Sequence, residues 1–159
     1  MAWSPDSRRL AFMGDNGSVK IWEGGTAAAI WTLVAGGTDA GKHLAWSPDG
    51  RWLAGSAFTF GPVLVWNSTT GKLAKQLHGH ADYVRSVAWS PDSRRLVSAS
   101  QDGTVKVWDL LSGQELLTFR GDGELSRSWM GATFSPDGWR LAASQGSVIH
   151  VWDATPQQK

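Results

Sequence analysis

Three residue types of a hydrolase triad, His80, Ser98 and Asp102, occur in one stretch of this 159-residue sequence. In a triad, a carboxylate orients a histidine, and the histidine takes the proton of a serine that attacks an acyl group. A triad is recognised by geometry and not by spacing along the chain. The elements that carry the three residues therefore decide between catalysis and a structural role.

A second motif resembles a phosphate-binding loop. Residues 36–43 read GGTDAGKH, close to the pattern G-x4-G-K-[ST], but His43 stands where a hydroxyl would hold magnesium. The segment also leads into a predicted strand, residues 42–47, whereas a P-loop opens a helix. We interpret it as a glycine-rich loop. The four histidines are not spaced as the ligands of a metal site usually are, so no metal or cofactor is predicted: His43, His78, His80 and His150.

Composition and charge exclude several classes of function. The chain has 15 Lys and Arg against 14 Asp and Glu, a net charge of +1, which argues against nucleic acid as a partner. It contains no cysteine, which removes disulfides and thiolate catalysis and weakly favours the cytoplasm. We find no export signal and no apolar run long enough to cross a membrane. The sequons at Asn16 and Asn67 are interpreted as turns.

Two markers repeat along the chain with nearly one period. Ser-Pro-Asp begins at four serines, at intervals of 43, 43 and 45 residues: Ser4, Ser47, Ser90 and Ser135. Four tryptophans end alternating apolar segments at intervals of 44, 42 and 44 residues: Trp22, Trp66, Trp108 and Trp152. The segment AWSPDSRRL occurs at residues 2–10 and again at 88–96, while SPDGRWLA at 47–54 resembles SPDGWRLA at 135–142. A fixed period of this length indicates a repeat architecture.

Each repeat contains four predicted strands and no helix. In the third repeat these are residues 83–90, 95–100, 104–109 and 115–119, separated by turn sequences. Pro91 cannot donate a ladder hydrogen bond, and Asp92 can bond its own backbone, so the first hairpin is locally encoded. The alternation in residues 104–108 predicts one buried face and one solvent-exposed face of this strand. Lys106, which aligns with His150, is predicted to lie on the exposed face.

These residues resemble the WD-repeat β-propeller family, which has four strands per blade and Gly-His and Trp-Asp signatures. Gly79-His80 and Trp108-Asp109 match both signatures in the third repeat. The resemblance implies an all-β domain over residues 1–159, with four-stranded antiparallel blades at about 1–34, 42–77, 83–120 and 128–153. It also implies a buried structural network of His80, Ser98, Asp102 and Trp108. Only the third repeat has all four, so the other blades are expected to depend on tryptophan packing.

The first blade has only residues 1–3 for its innermost strand, and the last lacks its fourth strand. An open arc of four blades would leave two apolar faces in water. We therefore expect two copies to associate into eight blades, or the chain to be half of a longer ring. A four-bladed monomeric ring is the third arrangement.

The resemblance implies a non-enzymatic, cytoplasmic scaffold that binds a protein or peptide through loops on one face. The candidate residues on these loops are Phe58, Phe60, Asp82, Tyr83, Gln101 and Arg127. Two alternatives stay open: a section of a larger signalling or sensor protein, and a propeller that binds a small molecule at the ring centre.

Overall fold

The structure is a computed structural model that describes residues 1–14, 18–34, 43–56, 62–121 and 128–154. These residues form fifteen strands in four antiparallel sheets, and within each sheet the strands follow chain order. The first sheet contains β1 (Ala2–Trp3), β2 (Arg9–Met13), β3 (Ser18–Glu23) and β4 (Trp31–Val34). The second contains β5 (Leu44–Trp46), β6 (Trp52–Ser56), β7 (Val63–Asn67) and β8 (Leu73–Leu77).

The third sheet contains β9 (Val84–Trp89), β10 (Arg95–Ser100), β11 (Thr104–Asp109) and β12 (Glu115–Arg120). The fourth contains β13 (Trp129–Phe134), β14 (Arg140–Gln145) and β15 (Val148–Asp153). Its three strands lie within residues 128–154, and β1 has two residues. Strand β9 is one residue shorter at each end than predicted, and β5 begins after His43 and ends before Ser47.

The Ser-Pro-Asp turns are closed by their own side chains. The Ser90 hydroxyl donates to Asp92 Oδ1 at 2.5 Å, while Asp92 Oδ1 also accepts from the Arg94 amide at 3.0 Å. Ser90 Oγ accepts from the Arg95 amide at 2.9 Å and so joins the turn to β10. The equivalent serines of the other three sheets make the same bonds: Ser4, Ser47 and Ser135. The local sequence therefore sets each first hairpin.

The prediction of one wet face for residues 104–108 is wrong. Every residue from Thr104 to Trp108 is buried, including Lys106, which was expected to be exposed. The third sheet lies between two others, so both of its faces are covered. Lys106 Nζ compensates for the loss of water by donating to Glu115 Oε2 at 2.7 Å and to Thr118 Oγ1 at 2.9 Å. The hydrogen bond from Lys106 is the largest influence on the pKa of Glu115, which is lowered.

Three apolar clusters fill the boundaries between successive sheets, and we call each boundary a joint. In every joint, the earlier sheet contributes the same three positions, one on its second strand and two on its third, besides other residues. The three sets are Ala11, Val19 and Ile21; Ala54, Val63 and Val65; and Val97, Val105 and Val107. The later sheet contributes a buried leucine of its second strand: Leu53, Leu96 or Leu141. The core is thus a repeated interface between sheets.

Polar contacts at the joints also repeat. Trp46 Nε1 donates to the Ala2 carbonyl at 3.1 Å, and Trp89 Nε1 donates to the Ala45 carbonyl at 3.0 Å. The guanidinium of Arg9 lies over the Trp46 ring at 5.0 Å. At the last joint, where Phe134 replaces tryptophan, the guanidinium of Arg95 lies over its ring at 5.3 Å. These contacts orient each sheet on the one before it.

Buried network and candidate interaction surface

The structure brings together His80, Ser98, Asp102 and Trp108, the four residues assigned to a network. Trp108 Nε1 donates to Ser98 Oγ at 2.8 Å. Ser98 Oγ lies 2.7 Å from His80 Nε2, and His80 Nδ1 lies 2.7 Å from Asp102 Oδ2. This pattern suits a neutral histidine whose Nδ1–H donates to Asp102 and whose Nε2 accepts from the serine hydroxyl. Each polar side-chain atom of this network then has a hydrogen-bond partner.

Asp102 also binds two groups outside the four. Thr104 Oγ1 donates to Asp102 Oδ1 at 2.5 Å, and the Ala81 amide donates to Asp102 Oδ2 at 2.9 Å. Burial by itself would raise the pKa of Asp102, but the hydrogen bonds from His80, Thr104 and Ala81 outweigh it, so the pKa is well below its usual range. Thr104 was not among the residues predicted for the network, although its place directly after the Asp-Gly turn was a signal for it.

The burial of Ser98 argues against the triad hypothesis. Ser98 is fully buried, and its oxygen accepts from the indole of Trp108, which is also buried. A serine nucleophile must reach a substrate carbonyl beside oxyanion donors, and no such space adjoins an oxygen enclosed in this way. The arrangement instead ties the segment before β9, strands β10 and β11, and the turn between them into one unit.

The other sheets fill the position of Ser98 differently. In the first sheet it is Phe12, whose ring meets Trp22 edge to face at 6.3 Å. In the second it is Gly55, where an added Cβ would lie 3.1 Å from the Trp66 ring and 2.8 Å from Leu44. Tryptophan packing therefore replaces the polar network in these sheets, as predicted. The matching turn residues Asn16 and Phe60 lie outside the described residues.

Comparison with protein families follows the same repeats. The family model described as WD domain, G-beta repeat, matches residues 1–23 and 71–109, which include two of the four Ser-Pro-Asp turns and end at Glu23 and Asp109. The four successive antiparallel sheets of three or four strands are consistent with WD-repeat propeller blades. Two regions of the chain are thus similar to WD repeats. Among curated proteins, the search found no match. Each sheet is one WD-repeat blade, and WD repeats generally serve as non-enzymatic scaffolds that bind proteins or peptides.

Three of the predicted partner-binding residues lie together at one edge of the third blade. The Gln101 amide donates to the Tyr83 carbonyl at 2.9 Å, and the Ser100 hydroxyl donates to the Asp82 carbonyl at 3.1 Å. Asp82 Oδ1 accepts from the Tyr83 amide at 2.7 Å. These bonds hold the loop before β9 against the turn after β10, and the buried network lies beside them.

Arg85 completes this surface and was missed by sequence analysis. Its guanidinium lies 5.9 Å from the Tyr83 ring centroid, and its side chain is exposed. With the Gln101 amide oriented to place its oxygen toward Arg85, that oxygen accepts from Arg85 Nε at 3.1 Å. Its position in β9, where it alternates with buried Val84 and Ser86, was the available signal. We call Asp82, Tyr83, Arg85 and Gln101 the loop surface.

The remaining predicted residues Phe58, Phe60 and Arg127 lie outside the described residues, as do residues 36–42 of the loop that resembles a P-loop. His43 is described; it was predicted to lie in the strand over residues 42–47, but it directly precedes β5 in the structure. The described part of the chain contains no cluster of three or more His, Asp or Glu suited to a metal ion. It also contains no helix of the length and hydrophobicity that crossing a membrane requires.

A cavity of about 450 Å³ adjoins the innermost strands β9 and β13. Its polar lining includes His43 and Ser86, but both already have partners within the chain. His43 Nδ1 accepts from the Val87 amide at 3.3 Å, and Ser86 Oγ accepts from the Ala132 amide at 3.5 Å. Burial lowers the pKa of His43, and the nearby amino terminus lowers it further. The described lining is otherwise mostly small apolar side chains and offers little to orient a polar ligand.

Proposed function

We propose that this chain is a non-enzymatic interaction scaffold whose loop surface binds a protein or peptide. One observation carries the proposal: an exposed arginine and a tyrosine are fixed on a rigid edge directly beside a buried hydrogen-bond network. Tyrosine and arginine are common anchors of binding energy, and rigid presentation lowers the entropy cost of binding. We place this activity in the cytoplasm, in keeping with the absence of cysteine from the sequence.

Peptide selection tests the proposal without a known partner. A displayed library of random peptides is selected on the purified protein, and the affinity of the enriched peptides is measured by calorimetry. We expect Arg85→Ala and Tyr83→Ala each to weaken binding about tenfold or more, the usual loss at an anchor. The matched control is Leu111→Ala, because Leu111 is 90% exposed and follows β11 at the opposite edge of the same blade.

Enriched peptides whose affinity is unchanged by both loop-surface variants would overturn the proposed site. Failure to enrich any peptide above background would count against the scaffold function itself. A small molecule at the ring centre is the second candidate, and it predicts instead that binding changes with substitutions at Ser86 or His43 in the inner cavity.

A further inference from the structure

One nine-residue sequence occurs twice in this protein and meets two different environments. Residues 2–10 and 88–96 both read AWSPDSRRL, and Ser7 and Ser93 both adopt a φ of 59°. Trp89 is 8% exposed, whereas Trp3, its equivalent, is 61% exposed. Ser93 is buried, whereas Ser7 is exposed. The local sequences are identical, so the difference comes from the second blade, which covers residues 88–96 and has no counterpart on residues 2–10.

The second blade covers this segment with both apolar and polar groups. Val63 and Val65 pack in the cluster that contains Trp89 and Leu96. The Ala45 carbonyl accepts from Trp89 Nε1 at 3.0 Å. The Asp49 amide donates to Ser93 Oγ at 3.1 Å. These contacts show what an AWSPDSRRL segment binds when it is covered.

The fourth blade carries groups equivalent to those of the second blade, but its apolar pair is exposed to solvent. Its turn sequence SPDGWRLA is the relative of SPDGRWLA in the second blade. By strand register, Ile149 and Val151 occupy the places of Val63 and Val65. Ile149 is 70% and Val151 is 61% exposed, whereas Val63 and Val65 are fully buried. An apolar pair at positions that are buried in all three joints of the chain marks an unfilled joint.

The polar groups of the two end blades also correspond. Thr133 stands where Ala45 stands in the second blade, two residues before the turn serine, and Asp137 stands where Asp49 stands. Arg140 matches Arg9 and Arg95, whose guanidinium groups lie over an aromatic ring of the following blade. Trp3 has no hydrogen-bond partner for its Nε1 among the described residues, and its ring is free to receive such a cation.

We propose that the fourth blade of one copy of this chain docks on the first blade of a second copy and continues the series of joints. In this docking the indole of Trp3 donates to the Thr133 carbonyl, and the amide of Asp137 donates to Ser7 Oγ. The Arg140 guanidinium lies over the Trp3 ring, and Ile149 and Val151 are buried. The same contacts form twice around a two-fold axis, so two copies close an eight-bladed ring.

The occupant is a second copy because both halves of the missing joint are exposed on the same chain. Trp3 at one end and Ile149 at the other are both open to solvent, so the arc is not closed on itself. The alternation of turn types gives a further reason. Blades with SPDS and SPDG turns alternate along the chain, and docking the fourth blade on the first preserves that alternation around the ring. This inference concerns assembly and does not depend on the loop surface.

Disulfide trapping tests the joint directly, since the sequence contains no cysteine. The variant Ser7→Cys/Asp137→Cys places one thiol on each half of the proposed joint. The matched control is Asp49→Cys/Ser93→Cys, which places two thiols at the equivalent positions of the joint between the second and third blades. Disulfides require closely approaching backbones, so the control reports whether this geometry permits the bond.

We expect oxidation to give a covalent species of twice 17.2 kDa from the first variant and an internally bridged monomer from the control. A ladder of larger species would overturn two-copy closure in favour of open head-to-tail chains. An internally bridged monomer from the first variant would overturn it in favour of a four-bladed ring. No bridge in the first variant, with a bridge in the control, would overturn the joint itself.

A second measurement avoids cysteine altogether. Light scattering is expected to give a dimer mass for the wild-type chain and a monomer mass for Ile149→Asp. Leu111→Asp is the matched control, because it also places a charge on an exposed apolar residue but lies away from the joint. Equal masses for the two variants would contradict the proposed interface.

Discussion

At the residue scale, the third blade depends on polar side chains that satisfy one another in the absence of water. His80 receives a hydrogen bond from Ser98 and gives one to Asp102, while Trp108 binds the serine. Lys106 is neutralised by Glu115 in the same blade. A buried polar group costs free energy unless it is bonded, so the loss of one member leaves others unpaired.

The first prediction concerns the pH dependence that Asp102 contributes. Its folded-state pKa lies below the ordinary value of 3.8, so its ionised form stabilises the fold above about pH 4. This stabilisation is lost as the pH falls toward the folded-state pKa. We expect Asp102→Asn to lower the free energy of unfolding by about 3 kcal/mol at pH 7 and by clearly less at pH 3, measured by urea unfolding.

The control for this experiment is Asp109→Asn. Asp109 accepts hydrogen bonds from the Ser112 amide and hydroxyl in an exposed turn, and an asparagine oxygen can accept the same bonds. We expect little change in stability from this variant. An equal loss for Asp102→Asn at pH 3 and at pH 7 would show that the carboxylate charge is not what stabilises the network.

At the scale of the elements, each blade is a hairpin series closed by turns, and successive blades are oriented by aromatic side chains. Trp46 and Trp89 each bind the backbone of the preceding blade, 44 residues earlier in the chain. Phe134 occupies this position in the last blade, so the site accepts phenylalanine, but without the hydrogen bond. At these two joints, the contribution of the indole N–H can therefore be tested separately from that of the aromatic ring.

The second prediction follows from that comparison. We expect Trp46→Phe and Trp89→Phe each to lower the free energy of unfolding by about 1–2 kcal/mol, because each loses one hydrogen bond and some buried area. Thermal unfolding followed by circular dichroism measures the change. Trp139→Phe is the control, because Trp139 is 48% exposed. A loss no greater than in the control would mean that the indole bonds contribute nothing to the joints.

At the scale of the whole molecule, the arc has three filled joints and two open end faces. The exposed apolar residues of the two end blades include Trp3 on the first and Ile149 and Val151 on the last. Monomeric proteins rarely expose contiguous apolar surface of this kind. The stability of the arc is therefore expected to depend on what covers its ends.

The third prediction is that stability rises with protein concentration. If two folded copies share their end faces, mass action raises the midpoint of thermal unfolding by about 4 °C for a hundredfold increase in concentration. Calorimetry across that range measures the shift, and Ile149→Asp should show none. A wild-type midpoint that does not change with concentration would mean that the open arc is stable alone.

The sequence by itself determined the repeat, the strands and the turns of this protein. Strand limits such as those of β10 and β11 agree with the period-two pattern, and the Ser-Pro-Asp turns close with their own serine and aspartate side chains. The WD-repeat resemblance placed the four network residues correctly in one blade. These features depend on bonds between residues that are close along the chain, so the local sequence encodes them.

Only the tertiary structure decided which faces are covered. Lys106 lies in an alternating strand that predicts a wet face, yet it is buried because blades pack on both sides of it. Arg85 joins the loop surface in part through the Gln101 amide, which comes from the turn after β10. The two AWSPDSRRL segments differ completely in the exposure of their tryptophan. Burial is set by neighbours some 44 residues away in the chain, and no local pattern contains that information.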